Sequence, residues 1–135
     1  MRIVYQVPDV VKWELEIFMG EMKWFVPRWV REITFFLGPE TEAMAESWTS
    51  ADYLTLKISL NQNWMGYTSD KRREILIHEL AHAHTSPLAD AVRDFGKVKL
   101  DDKDNEILRE IIRHNMELCT EHLAWCAEEK QYGAP

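Results

Sequence analysis

The sequence predicts an α+β fold: an N-terminal helix, a three-stranded, mainly antiparallel sheet, a central helix and a C-terminal helix, in one domain over residues 1–135. Three observations predict it. Apolar residues recur at roughly helical spacing from Val10 to Phe25. Tyr53 to Leu60 alternates strictly, with Leu54, Leu56, Ile58 and Leu60 on one side and Tyr53, Thr55, Lys57 and Ser59 on the other. From Asp102 onward, Ile107, Leu108, Ile111, Ile112, Leu118, Leu123 and Trp125 again follow a helical period.

The first helix starts at Pro8-Asp9 and covers 9–25, with Val11, Trp13, Leu15, Phe18 and Met22 among its apolar positions and Glu14, Glu16, Glu21 and Lys23 between them. Pro27 ends or redirects it. Val30 to Leu37 holds the β-branched and aromatic run Ile33-Thr34-Phe35-Phe36, which predicts a strand. Gly38-Pro39-Glu40 predicts a turn, Glu42 to Thr49 a second strand, and Ser50-Ala51-Asp52 another turn. Tyr53 to Leu60 is then a half-buried strand and the expected free edge of the sheet. Asn61 to Thr68 is a loop. Ser69 or Asp70 can cap the central helix, which should stop near Pro87. A short helix over 88–95 ending at Gly96, a last helix over 102–130 and a frayed Gly133-Ala134-Pro135 tail complete the chain.

The 46% hydrophobic and 29% charged residues match an ordinary globular domain. Six Trp, five Phe and four Tyr supply a core without disulfides. A net charge of −7 argues against a nucleic-acid partner, which would need a basic surface. No signal peptide and no apolar stretch of membrane-spanning length is visible, so no membrane partner and a cytoplasmic location are expected. Cys119 and Cys126 fall seven positions apart on the last helix, roughly 10 Å along its axis, too far to pair. They are expected to be free thiols facing the core, in a reducing compartment.

The chemistry is concentrated in His78-Glu79-Leu80-Ala81-His82. Positions i and i+4 share one face of a helix, so both imidazoles can point at one ion. Zinc accepts imidazole nitrogen and favours four ligands. Glu79 can reach a water at the open metal position without being a ligand, take its proton and pass it to a leaving amine. His84 lies about 200° round the helix from His82 and should face away. His114 and His122 flank the acidic part of the last helix and are expected to be solvated or hydrogen-bonded. Tyr53, Tyr67 and Tyr132 are candidate transition-state donors that nothing in the sequence separates.

His-Glu-x-x-His following three strands resembles the zincin metallopeptidases. The metzincin continuation is missing, since Ser86-Pro87-Leu88 stands in its place. Glu117 and Glu121, in Met116-Glu117-Leu118-Cys119-Thr120-Glu121, have the spacing of the gluzincin glutamate helix. The chain is thus similar to the minimal gluzincins and to short metallopeptidase-like sequences of phage and prophage, over roughly residues 30–126. Met116 and Glu121 stand where that group carries Asn and Asp. The resemblance implies one zinc per chain held by His78, His82 and Glu117, with Glu79 as general base and Glu121 accepting from His78. It implies a peptide or protein substrate, in a phage or bacterial host cell, cut at the peptide bond by a metal-activated water. The rival expectation is a catalytically silent zinc-binding module that acts by interaction.

Overall fold

The computed structural model describes residues 1–39 and 41–133 and is α+β, as the sequence predicts. The elements are β1 (Arg2–Gln6), α1 (Asp9–Met22), β2 (Glu32–Leu37), β3 (Ala45–Ser50), β4 (Thr55–Leu60), α2 (Ser69–Lys99) and α3 (Asp102–Tyr132). A 3-10 turn over Lys23–Phe25 finishes what the sequence reads as the end of the first helix. Glu40 of the expected turn, and Ala134 and Pro135 of the tail, lie outside the described residues.

The sheet departs from the expected antiparallel meander. It has four strands in the order β1-β2-β4-β3; β1 and β4 both run parallel to β2, and only β3 is antiparallel to its neighbour β4. Alternation reveals a strand but not its direction or its neighbours. The segment after Leu37 passes the place that β4 later fills, so β4 is internal and β3 is the edge. Tyr53–Leu60 is therefore not the free edge. Its first two residues belong to the turn, where Leu54 has φ 57° and its carbonyl accepts from the Arg31 N–H at 2.7 Å. β1 is hidden in five residues that show no alternation of burial.

One face of the sheet carries the core. Ile33 and Phe35 of β2 and Leu56, Ile58 and Leu60 of β4 are fully buried with Leu15 and Met22 of α1 and Leu76, Ile77 and Leu80 of α2. Arg72 ties α1 to the start of α2. Its guanidinium donates to both carboxylate oxygens of Glu14 at 2.6 Å, and also to the Tyr67 carbonyl. This bidentate pair, with Arg72 buried, orients α2. Thr68, rather than Ser69 or Asp70, caps the helix by accepting from the Lys71 N–H at 3.2 Å.

The largest departure is α2, which runs for 31 residues straight through Pro87. A proline inside a helix has no N–H for the carbonyl four residues back. That carbonyl belongs to Ala83, and the Trp29 indole N–H donates to it at 3.2 Å. Tertiary structure thus repairs the one defect that the sequence reads as a stop. Trp29→Phe keeps an aromatic ring and removes the donor. It is expected to cost about 1–2 kcal/mol, the penalty for an unsatisfied buried acceptor. Urea denaturation checks this; an unchanged midpoint would mean that water can take the place of the indole.

The C-terminal helix also corrects its expected packing. Thr120, Ala124 and Ala127 are its buried residues, whereas Ile107, Ile111, Leu118 and Trp125 are exposed. Cys119 and Cys126 are free, as expected, but exposed rather than in the core. Each precedes a buried residue by one position, which turns it about 100° away from the seam.

Candidate metal centre

His78 and His82 stand one turn apart on the buried half of α2, held there by Ile75, Leu76, Ile77 and Leu80 on the core side. The small residues Ala81 and Ala83 let the helix lie close to the sheet. The two imidazole rings lie 4.9 Å apart at 84° to each other. α3 packs antiparallel across α2, fixed beside the pair by a Thr85–Thr120 hydroxyl contact of 2.9 Å. This places Glu117 opposite both imidazoles. His78 Nε2 is 3.5 Å from one carboxylate oxygen and His82 Nε2 is 3.4 Å from the other. One ligand atom from each of the three residues falls within 4.8 Å of the others, so the group can hold a metal ion.

These separations can be tested against a known ion. Bonds of ~2.0–2.1 Å at tetrahedral angles put neighbouring ligand atoms roughly 3.3–3.4 Å apart. The two N–O distances are close to that, each to a different oxygen of the Glu117 carboxylate, so a small turn of that group would let one oxygen serve both imidazoles. The donor set, two imidazoles and a carboxylate, is also one that zinc accepts.

Burial gives the neighbouring groups distinct characters. Burial pushes the His82 pKa down, against the pull of the Glu117 carboxylate, and so favours the neutral ring that can donate a lone pair. Glu79 is only 7% exposed. Its pKa is raised, chiefly by that burial, with the carboxylates of Glu117 and Glu46 adding to the effect; a hydrogen bond with the Ser47 side chain and the charge of His78 act the other way.

The metal group sits in a cleft between β3 and the α2–α3 pair. On one side of His78 a cavity of about 510 Å³ is bounded by Ser47, Trp48, Ser86, Asp90, Arg93 and Met116. On the other, about 490 Å³ is bounded by Met44, Glu74, Ile75, Glu121, Trp125 and Glu128. Ala45, His78 and Glu79 line both. The cleft therefore runs along the unpaired edge of β3.

Glu121 lines the second cavity beside His78, but no hydrogen bond joins the two. His84 faces away and meets the Phe25 carbonyl at 2.6 Å. His122 contacts Cys126 and stacks on Trp125, and both His122 and His114 lie outside the metal group. Tyr53 projects into solvent, Tyr67 packs edge-on against Trp64, and Tyr132 donates to Glu21; none lines the cleft. Ser47, Glu46 and Arg93 bound the cleft although no sequence pattern singles them out. They come from a strand and a helix segment whose placement is fixed by tertiary structure alone.

No helix of the described residues is long and apolar enough to cross a membrane. Comparison with family models, with curated proteins and with solved structures found no match to this chain.

Proposed function

We propose that the chain is a zinc-dependent peptidase that hydrolyses peptide bonds in the cleft beside β3, with His78, His82 and Glu117 as ligands. The observation that carries this reading is the convergence of Glu117 on the two motif histidines, with Glu79 buried beside them. Bound there, zinc would supply a Lewis acid that polarises the scissile carbonyl and acidifies water. Glu79 accepts the proton of the attacking water and delivers it to the departing amine. The free N–H and C=O groups of β3 offer backbone pairing to an extended peptide, which aligns it along the cleft.

Metal analysis tests the premise. One zinc per chain is expected in the purified protein, with less than about a tenth of that in His78→Ala or His82→Ala, each of which removes one of three protein ligands. Hydrolysis of an unfolded protein substrate should stop on chelation. Equal metal in wild type and both variants would rule out the site.

A further inference from the structure

α2 and α3 are each 31 residues, about 46 Å long, yet only their proximal halves reach the core. Beyond the metal group the two helices touch mainly each other. Between residues 88 and 118, Ala89 and Gly96 are the buried residues of α2, and α3 has none before Thr120 among the described residues. Gly96 marks the seam, where a side chain would meet Asn105 and Leu108. Two helices joined along small residues have almost no core of their own. Most helical stability in water comes from burying an apolar face.

Such a face is present. Leu88, Phe95 and Val98 on α2 are 74, 59 and 77% exposed, and Ile107, Ile111 and Leu118 on α3 are 52, 52 and 54% exposed. With Ala91 and His114 at the intervening positions, they follow the spacings 88-91-95-98 and 107-111-114-118, which alternate three and four residues as in a coiled-coil seam. Leu88, Phe95 and Ile107 point the same way, while Val98 and Leu118, two positions from the seam residues Gly96 and Thr120, point outward from the pair. Leu88 and Phe95 each precede a seam residue, Ala89 and Gly96, by one position, and Ile107 likewise precedes Leu108. One position is about 100° of turn, and on antiparallel helices that turn leads to the same side of the pair. Residues one position after the seam point to the opposite side: Asp90 lines the metal cleft, and Arg109 a polar cavity that continues from it past Arg93. The hairpin is polar toward the cleft and apolar on its back.

We infer that the apolar back of the α2–α3 hairpin binds a second copy of this chain, closing a four-helix bundle around a two-fold axis. The area decides for a second copy. At roughly 100 Å² exposed per large apolar side chain, the six residues and their neighbours give about 700 Å² per copy, close to the ~800 Å² per partner of a stable specific interface. A two-fold dimer also needs nothing beyond this one face, because an isologous contact matches a patch to itself. The other exposed row, Val10, Trp13 and Ile17 on α1, is different: α1 already buries Val11, Leu15, Phe18, Met19 and Met22 and holds its place without a partner.

Light scattering after size exclusion at ~50 μM, in reducing buffer so that the exposed Cys119 and Cys126 cannot join copies, should give twice the chain mass of 16.0 kDa. Phe95→Ala combined with Ile111→Ala removes the centre of the face while keeping the best helix-forming residue at both positions. It should weaken the dimer at least ~100-fold, giving monomer with unchanged helix content by circular dichroism. Ile17→Ala on α1 should remain a dimer. A monomeric wild type, a double variant that stays dimeric, or an Ile17→Ala protein that falls to monomer would each overturn the inference.

Discussion

Glu79→Gln is expected to keep its zinc and lose hydrolysis by about 10²–10⁴-fold, the usual contribution of a positioned general base. The amide fills the same volume between β3 and α2, so the fold and the two histidines beside it should be undisturbed. What it lacks is a group that can accept a proton. The site makes the experiment decisive. Glu79 is outside the three-residue metal group, so the amide removes none of its three ligands. A buried carboxylate in this position has no packing role that an amide could not fill. It is also costly to bury, since a charged group loses its hydration there. A protein that holds zinc only for stability or for recognition has no use for that cost, and its Glu79→Gln variant would behave like the parent. Measuring zinc and turnover on the same samples separates the two cases. Zinc retained with turnover intact would remove Glu79 from the mechanism; turnover absent from the parent itself would favour the silent binding module.

The metal group is legible in the sequence because its spacing is local. Two histidines four apart on a helix face the same way whatever the rest of the chain does, and here they do. Glu117 needs the resemblance as well as the spacing, because its meeting with His78 depends on how α3 crosses α2. Features set by distant residues are less visible. Trp29 and Ala83 are far apart in sequence, so nothing near Pro87 announces that α2 continues through it. The direction of β4 depends on where β2 already lies, and the alternation of Tyr53–Leu60 is the same for an edge and an internal strand. The apolar period of α3 is plain in the sequence, but it does not mark the core. Its row of Ile107, Ile111 and Leu118 lies on the opposite side from the residues that α3 buries. Period alone gives an apolar face; it does not say whether the same chain covers it.

Glu117→Ala is expected to lower zinc affinity by more than ~100-fold, and Glu121→Ala by at most ~10–100-fold, the range for a group that only orients a ligand. The two glutamates are one turn apart on the same helix, yet the structure gives them different surroundings. Glu117 faces both imidazoles, at 3.5 and 3.4 Å. Removing it leaves two histidines, which cannot complete a stable tetrahedral site with solvent alone as well as three protein ligands can. Glu121 lies beyond His78 in the second cavity, without a hydrogen bond to it. A metal-bound histidine generally donates its other ring N–H to a carboxylate, carbonyl or water. Among the described residues no protein acceptor is hydrogen-bonded to that second nitrogen of His78, so Glu121 has a role to fill only if its side chain turns toward the ring when metal is present. Competitive titration with a chromophoric zinc chelator measures both variants on one scale. A modest loss in Glu121→Ala assigns it to orienting His78, and no loss makes it a solvated carboxylate of the cleft wall. If Glu121→Ala loses zinc while Glu117→Ala retains it, the ligand assignment is reversed, and α3 must shift by about one turn, roughly 6 Å along its axis, on binding metal to bring Glu121 where Glu117 now stands.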